Sequence, residues 1–446
     1  IDMCNGSIMD KLISFALPLM LSGMLQLMFN AVDIVVVGRF SGSQSLAAVG
    51  ATTALIYLFT NLFIGISLGA NVLAARYYAA GKHEEMSETV HTAMMFALIS
   101  GIIMIFVGLF FSRLALEIMG TPSDVIDQAT LYMRIYFLGM PFFMLYNYGA
   151  AILRAVGDTK RPLIFLIISG VVNACLNMLL VIVFHLDVAG VAIATVTSQF
   201  ISCVLVIGCL YRTKSSYQLR FSRLKIRKEY LKPICQVGIP AGIQSTVINF
   251  SNALLQSSVN SFGSTTMAGY TAANNIFGFL YVTVNAVTQA CMSFTSQNYG
   301  VGKWKRMDRV LIDCLILSFV AMMILGNSAY FFGPKLLTIY TSNSKVIQCG
   351  MEILLYTTVT YFLCGFMDLF PGALRGMGRS GVPMILSIIG TVGTRIVWIF
   401  WIFPNHRSLD ILFISYPASW IITIVLQVIC YYFVRKQLYA KMRAEA

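Results

Sequence analysis

The chain has 446 residues, of which 58% are hydrophobic and only 11% are charged. Soluble globular proteins carry about 25% charged residues, so this composition excludes a soluble globular protein. The formal net charge of +13 does not indicate a nucleic-acid partner, because the basic residues lie in short gaps between apolar runs and no soluble domain is available to bind one. We expect these gaps to face anionic membrane lipid.

Apolar runs of about twenty residues or more recur along the chain and predict transmembrane helices. The alternating pattern that is typical of membrane-barrel strands is not visible. The first run, 12–37, is too long for a signal peptide and has no cleavage signature, so we expect no separable signal peptide. The fold class is therefore an all-α polytopic membrane protein with twelve helices. The predicted helices are 11–38, 46–76, 89–112, 126–153, 161–184, 188–211, 233–261, 268–298, 309–332, 346–375, 383–403 and 409–435.

An even number of helices places both termini on the same side of the membrane. When that side is taken as cytoplasmic, 24 of the 31 Lys and Arg residues fall in inner gaps and termini, and five fall in outer gaps. This asymmetry follows the positive-inside rule. We therefore predict a multi-pass protein of the cell membrane (the inner or plasma membrane) with both termini cytoplasmic. Only Arg134 and Arg395 lie within predicted spans.

The two halves of the sequence resemble each other at a nearly constant offset. The segment YYAAGKHEEM at 77–86 matches NYGVGKWKRM at 298–307, and LRAVGDTKRP at 153–162 matches LRGMGRSGVP at 374–383. Both pairs are 221 residues apart, so six helices repeat as six in parallel order. Parallel repeats related by an axis along the membrane normal are a transporter design in which substrate binds between the halves.

The repeat predicts three parts: a six-helix lobe at 1–214, a basic cytoplasmic linker at 215–232, and a second six-helix lobe at 233–446. It also argues against a receptor or a membrane enzyme. An enzyme would need a clustered acid–base or metal constellation, whereas the ten cysteines are scattered singly and only four histidines are present. We therefore expect neither enzyme activity nor a bound metal.

One carboxylate, Asp33, lies inside the first apolar run. A charged Asp at mid-membrane costs about 2.5–3.5 kcal/mol on insertion scales, and interhelical polar contacts return only about 0.6 kcal/mol on average. A functional role therefore explains Asp33 better than a structural hydrogen bond does. Helical spacing places Gln26 and Asn30 on the same face, so we expect this face to line a cavity.

Polar side chains also form rows on the fifth to eighth predicted helices. The rows on the seventh and eighth helices have no charged member, which favours a wet or substrate-lining wall over an ion site. On the fifth and sixth helices the members are Ser169, Asn173, Asn177, Thr195, Ser198, Gln199 and Ser202. The predicted substrate cavity is lined by Gln26, Asn30, Asn249, Asn252, Gln256, Tyr270, Asn274, Tyr281 and Asn285.

The tenth helix carries a second carboxylate, Asp368, and the eleventh carries Arg395. The sequence is equally compatible with a structural C-lobe polar pair between these two residues and with a coupling role for Asp368. Arg134, on the fourth helix, has no partner that the sequence suggests.

Three stretches together resemble one known family over nearly the whole chain. NAVDIVVVGRFSGSQSLAAVG at 30–50, with LRAVGDTKRP and LRGMGRSGVP, is similar to the multidrug and toxic compound extrusion (MATE) family, bacterial type. The resemblance implies a V-shaped pair of six-helix lobes. It also implies a secondary active antiporter that exports amphipathic, often cationic, compounds in exchange for Na⁺ or H⁺ by alternating access.

The resemblance assigns roles to residues of the first lobe. Asp33 matches the first-helix acid that many members use for cation coupling, and Asn173 and Thr195 match polar partners of that network. Asn177 departs from the pattern, because several members have a second aspartate there. With Asp33 as the sole carboxylate among the polar rows of the lobe, its burial favours proton exchange, while a Na⁺ site built from Asp33 and Asn and Thr oxygens stays open. The resemblance implies no cofactor besides the coupling ion.

The nearest alternative is a lipid-linked oligosaccharide flippase of a related fold. Such a flippase should show a larger, strongly cationic cavity for pyrophosphate, whereas the polar rows here contain Asn, Gln and Tyr. A passive channel would need neither a sequestered carboxylate nor duplicated lobes. We therefore expect a transporter of small drugs or toxic organic compounds that acts as a monomer.

Overall fold

The computed structural model describes residues 1–445, except for the side chain of Ser43. These residues form sixteen α-helices with three π-helical segments, one 3₁₀ turn and no β-strand. The π-helical segments are Met178–Val183, Ile388–Gly393 and Trp398–Ile402, and the 3₁₀ turn is Phe221–Arg223. The α-helices are α1 (Ile8–Phe40), α2 (Ser43–Ala79), α3 (His83–Ile118), α4 (Ile126–Leu138), α5 (Met140–Ala155), α6 (Lys160–Asn177), α7 (Val188–Arg212), α8 (Lys228–Asn260), α9 (Ser264–Gly300), α10 (Trp304–Phe331), α11 (Gly333–Thr338), α12 (Ser344–Thr357), α13 (Tyr361–Gly376), α14 (Gly381–Ser387), α15 (Thr394–Val397) and α16 (Leu409–Glu445).

The predicted twelve-helix layout is confirmed. Nine helices within residues 1–445 are long and apolar enough to cross a membrane, and two bent pairs, α4–α5 and α12–α13, raise that number to eleven. The remaining predicted helix, 233–261, corresponds to α8, which has 33 residues. Its mean hydropathy is too low for it to count among the nine, because hydroxyl and amide side chains lie along one of its faces.

The two bent pairs occupy equivalent places in the repeats, with bends of 49° and 47°. Pro141 lies in the first turn of α5 and has no N–H with which to continue the hydrogen bonds of α4. No proline lies between α12 and α13. There the hydroxyls of Thr357 and Thr360 donate to carbonyls one turn earlier, at 2.7 Å each, which supplies bonds to backbone groups near the break.

By its internal packing the chain divides into two compact units. Unit 1 contains Ile1 and Leu17–Gly242, and unit 2 contains Asp2–Ala16 and the chain from Ile243 onward. The division falls within two residues of Pro18 in α1 and of Pro240 in α8. It therefore differs from the predicted lobes at the beginning of α1 and in the first half of α8.

In unit 1, helix α2 crosses the first half of α8 where each helix carries two glycines four residues apart. A Cβ at Gly65 would lie 2.5 Å from Gly242 Cα, and a Cβ at Gly238 would lie 2.3 Å from Ile66 Cα. Gly69, four residues after Gly65, faces the carbonyl oxygen of Ile234 in the same way. Both helices thus carry a G-x-x-x-G pattern, which allows their backbones to touch.

The linker between the halves packs on the beginning of α3 in unit 1. The buried side chain of His91 is committed on both nitrogens: Nδ1 donates to the carbonyl of Ser87 at 2.7 Å, and Nε2 accepts the backbone N–H of Arg220 at 3.0 Å. Two ion pairs flank this contact, Arg223–Glu84 at 3.0 Å and Arg227–Glu88 at 2.5 Å. Part of the predicted basic cluster is therefore neutralised by α3.

In unit 2, the segment before α1 is held by polar side chains around the junction of α9 and α10. Asn298 Nδ2 donates to the carbonyl of Met3 at 3.1 Å, and Lys303 Nζ donates to the carbonyl of Cys4 at 2.6 Å. Met3 is fully buried. Further along, the rings of Phe15 and Phe294 meet edge to face at 5.6 Å. Residues 2–16 are therefore part of the packing of unit 2.

Candidate functional site

Helices α1 and α6 come into close contact at a glycine. The ring of Phe29, on α1, lies over Gly170, on α6, so that a Cβ at Gly170 would come within 1.9 Å of Phe29 Cε2. Because Gly170 has no side chain, the helices approach closely enough for short polar side chains one or two turns further on to meet. Asp33 follows Phe29 by four residues, and Asn173 and Asn177 follow Gly170 by three and seven, so all three lie on the contacting faces.

The structure brings Asp33, Asn173 and Asn177 together. The Nδ2 of Asn177 donates to Asp33 Oδ1 and also, at 3.4 Å, to Asn173 Oδ1. Asn177 is fully buried and Asp33 is half-buried. Within residues 1–445, only these two asparagines hydrogen-bond the carboxyl group, and no cationic side chain interacts with it. The charge of Asp33 is therefore met by amide dipoles alone.

Two tyrosines of α4 lie within electrostatic reach of Asp33. Tyr132 and Tyr136 both interact electrostatically with Asp33, and both also interact with Tyr57 of α2. The sequence analysis missed them, although their spacing of four residues places them on one helix face. Their ring centres are 6.1 Å apart. Arg134, between them in sequence, lies on an exposed face of the same helix.

The polar row of α7 hydrogen-bonds mainly to its own helix. The hydroxyl of Thr195 donates to the carbonyl of Val191 at 3.0 Å, and the hydroxyl of Ser198 donates to the carbonyl of Thr195 at 2.8 Å. Among the hydrogen bonds of the described chain, none joins Thr195 to Asp33. The coupling role assigned to Thr195 remains a prediction.

Oxygen atoms that could hold a small hard cation are present around Asp33. They belong to its carboxylate and to the side-chain amides of Asn173 and Asn177, and oxygen is the donor that such cations prefer. The side-chain Oδ1 of Asn177 is buried and has no hydrogen-bond partner among the described residues. A proton, in contrast, would need only one oxygen of Asp33.

The predicted substrate wall is divided between exposed and buried positions. Exposed amides at the depth of a membrane span are costly against lipid, so such positions favour contact with water. The role of these residues as a substrate wall remains a prediction. The exposed members are Gln26, Asn30, Asn249, Asn274, Tyr281 and Asn285, and Asn252 and Gln256 are half-buried.

Tyr270 is not on the exposed face of α9. Its hydroxyl lies 2.8 Å from the hydroxyl of Tyr416, and its ring stacks on Phe413 at 6.3 Å. It is only 2% exposed. The structure therefore places Tyr270 in the core of unit 2 and not with the other predicted wall residues, because its side chain reaches Tyr416 and Phe413 of α16.

The predicted polar pair of Asp368 and Arg395 is wrong as an ion pair. No oxygen of Asp368 lies within 4 Å of a guanidinium nitrogen of Arg395 in the described chain. Arg395 instead donates to Ser251 and Asn252 of α8, while the charged group that interacts with Asp368 is Arg375. The sequence places Asp368 and Arg395 on neighbouring predicted helices, but it does not show which faces meet.

Two six-helix repeats that cross a membrane, with a carboxylate held among neutral polar groups in one of them, define a membrane transporter. Comparison with known proteins agrees with this class. Residues 18–179 and 240–401 each match the family model MatE. The chain therefore belongs to the MatE family, which is a family of transporters and not of enzymes. The resemblance to the MATE family is confirmed.

Curated relatives are similar over most of the chain. The sequence is 28% identical over 434 residues to the probable multidrug resistance protein YoeA of Bacillus subtilis (strain 168), which covers 95% of this chain and 93% of YoeA. It is 22% identical over 386 residues to the multidrug export protein MepA of Staphylococcus aureus (strain NCTC 8325 / PS 47), which covers 86% of this chain and 85% of MepA.

Solved structures share the fold. One is an outward-facing multidrug resistance MATE family transporter of the MOP superfamily, with a TM-score of 0.90 at 20% identity over 99% of this chain and 98% of that chain. Another is a MATE crystal structure in the bent conformation, with a TM-score of 0.87 at 20% identity over 97% and 96% of the two chains. The predicted all-α fold class is confirmed by these likenesses.

Proposed function

We propose that the protein is a secondary active multidrug exporter that moves amphipathic and cationic compounds out of the cell by alternating access, in exchange for H⁺ or Na⁺. Membership of the MatE family and the similarity to YoeA and MepA, described as multidrug resistance and multidrug export proteins, support drug export. The observation that carries the coupling role is the bond from Asn177 to Asp33, a carboxylate that no cationic side chain in the described chain neutralises.

Of the two ions we favour H⁺. A proton binds one carboxylate oxygen and needs no further ligand. A Na⁺ ion would need acceptors, but Asn177 directs its NH₂ group toward both Asp33 and Asn173 and so presents a donor. This orientation argues against a three-oxygen Na⁺ site.

Protonation of Asp33 would act on the contact between α1 and α6. The neutral acid loses the charge-assisted hydrogen bond from Asn177, which is stronger than a neutral one. Uptake of the proton would therefore weaken the contact between α6 and the outer part of α1. We propose that this local change is transmitted to the drug site. Exchange of one monovalent cation for one H⁺ is electroneutral and is driven by the pH gradient, worth about 1.4 kcal/mol per pH unit.

Recognition of varied drugs would rest on adaptable side chains. The chain contains 31 Phe, 21 Tyr and 24 Met residues. Aromatic faces attract cations, and Met side chains fill irregular contacts. We propose that a single chain does this work in the inner or plasma membrane, with both termini cytoplasmic, in accord with the distribution of basic residues.

The test is ethidium efflux from proteoliposomes under an imposed pH gradient, an imposed Na⁺ gradient, or neither. We expect efflux under the pH gradient for the unaltered protein and loss of that response in Asp33→Asn, which keeps the shape of the side chain but cannot take up a proton. Asp33→Glu keeps the acid and is expected to keep some coupled efflux. Full gradient-driven efflux by Asp33→Asn would remove Asp33 from the mechanism.

A matched control comes from the same helix. Asp10→Asn makes the same chemical change at an exposed position in the first turn of α1 and is expected to leave coupled efflux unchanged. Efflux driven only by the Na⁺ gradient would replace H⁺ by Na⁺ in the proposal. No efflux by folded protein under either gradient would favour the lipid-linked oligosaccharide flippase.

A further inference from the structure

Each repeat holds one charged side chain between its first and fifth helices, an acid in unit 1 and a base in unit 2. The MatE segments begin 222 residues apart, at 18 and 240, which maps Asn30 onto Asn252, whereas the 221-residue offset of the LRAVGDTKRP segment maps Asn173 onto Thr394, the neighbour of Arg395. In unit 1 the carboxylate of Asp33 faces Asn173. In unit 2 the guanidinium of Arg395 contacts Asn252 of the first helix of the repeat.

Arg395 is a buried cation without a carboxylate partner. It is 2% exposed. Its Nη1 donates to Ser251 Oγ at 2.9 Å and to Asn252 Oδ1 at 2.6 Å, and its guanidinium carbon lies 4.9 Å from the centre of the Tyr416 ring. Its Nε is buried and has no hydrogen-bond partner in the described part of the chain.

The groups around Arg395 leave its charge unneutralised. Asp368 interacts with Arg375, which also donates to Gln244 at 2.7 Å. A guanidinium stays protonated in proteins, and a buried charge without a counterion is unfavourable unless something else meets it. The titratable groups that interact with Arg395 are three tyrosines and a cysteine, and none is a carboxylate: Tyr416, Cys364, Tyr270 and Tyr361.

Arg395 also fixes the orientation of the side-chain amide of Asn252. A guanidinium can only donate, so the amide oxygen of Asn252 must face it and the NH₂ group must point elsewhere. Asn252 is half-buried, and its NH₂ has no acceptor among the described residues. It lies in the row with exposed Asn249, and residues 243–260 of α8 contain no acid.

We propose that Asn252 and Arg395 form a subsite in unit 2 for a carboxylate group of the exported compound. The oriented NH₂ of Asn252 donates to the carboxylate, and the charge of Arg395 behind it supplies the attraction. This inference rests on the proposed function and narrows its substrate class: amphipathic compounds that carry a carboxylate, such as zwitterions, are preferred to otherwise identical neutral or esterified ones.

The experiment compares a fluoroquinolone, which carries a carboxylate and an amine, with its methyl ester, using ethidium as a reference without a carboxylate. Efflux KM is measured in proteoliposomes, and equilibrium binding to purified protein is measured by the intrinsic fluorescence of the quinolone. For the unaltered protein we expect the acid to bind and to be exported with a KM about tenfold below that of the ester, as for a hydrogen bond to a charged group.

Two variants remove the subsite in different ways. In Asn252→Asp a carboxylate accepts from Arg395 as the amide oxygen does now, so the contact is kept while the free donor and the net charge are lost. In Arg395→Gln the charge itself is lost. Both are expected to abolish the preference for the acid over the ester. Arg395→Lys keeps the positive charge and is expected to retain part of the preference for the acid. The matched control is Asn260→Asp, at an exposed position near the end of α8, and its acid-to-ester ratio is expected to equal that of the unaltered protein.

The outcomes separate the subsite from the proposed function. An unchanged acid-to-ester ratio in Asn252→Asp, or equal losses for acid, ester and ethidium, would overturn the subsite. No preference for the acid in the unaltered protein would overturn it as well. If the protein binds the acid more tightly than the ester and loses that preference in Asn252→Asp, but exports none of the three compounds, the subsite stands and the proposed function fails.

Discussion

The ring of Phe29 lies directly over Gly170, where a Cβ would come within 1.9 Å of the ring edge. This contact sets the distance between α1 and α6, and one or two turns further on Asn177 reaches the carboxylate of Asp33. The proposed coupling site therefore depends on a residue whose contribution is the absence of a side chain. Neither Phe29 nor Gly170 has a side chain that can take up a proton.

A side chain at Gly170 is expected to disturb the coupling site. In Gly170→Ala the new methyl group collides with Phe29, and overpacking of this kind costs about 1–3 kcal/mol. We expect a lower melting temperature in detergent and weaker coupled efflux. Gly208→Ala is the matched control, because a Cβ there meets nothing within 4 Å.

The cause can be tested with a second substitution. Combining Gly170→Ala with Phe29→Ala removes the ring that the methyl group strikes, so the two changes should be less damaging together than their sum. Strictly additive losses of stability and of efflux would show that the ring does not set the distance between these helices.

A side chain at the crossing of α2 and α8 is expected to destabilise unit 1 strongly. The atoms nearest to a Cβ at Gly65 belong to the backbone of Gly242, at 2.5 Å, and backbone cannot rotate away as a side chain can. We expect Gly65→Ala to lower thermal stability more than Gly170→Ala does. Gly50→Ala, in the same helix but with open space around its Cβ, should be neutral or slightly stabilising. Equal melting temperatures for Gly65→Ala and Gly50→Ala would contradict the close crossing.

Removal of the His91 ring is expected to loosen the linker. His91→Ala takes away the acceptor of the Arg220 N–H, and the loss of such a part-buried hydrogen bond costs about 0.5–1.5 kcal/mol. We expect hydrogen exchange at Arg220 to become up to about tenfold faster, with increased proteolysis near residues 213–227. His83→Ala, at an exposed site at the start of α3, is the control. Unchanged exchange at Arg220 would mean that the ion pairs to α3 suffice to hold the linker.

The sequence predicts the helices well because each is a local pattern. Long apolar runs gave twelve ranges that the structure confirms as a layout, and a proline marked the bend before α5. The equivalent bend before α13 has no proline, so threonine hydroxyls and packing produce it without a strong local signal.

The candidate site was only partly predictable. Asp33 is conspicuous because a charge in an apolar run is rare, and helical spacing placed Asn173 and Asn177 on one face. Spacing within a helix does not say which faces meet, however, and this is why Arg395 was paired with Asp368 instead of Asn252. Tyr132 and Tyr136 were missed because spacing does not show that their helix face lies near Asp33. Tyrosines are also common on membrane helices, so they do not stand out in the sequence.

The boundaries of the two units do not coincide with the two halves of the covalent chain. A cut in the linker after residue 214 would give two fragments, neither of which holds a whole unit: the first would lack the part of α8 that ends at Gly242, and the second would lack Asp2–Ala16. A fragment made alone would leave Gly65 and Gly69 without the backbone they pack against. The sequence repeat and the two compact units therefore do not coincide, because each unit includes a piece that the other half of the sequence encodes.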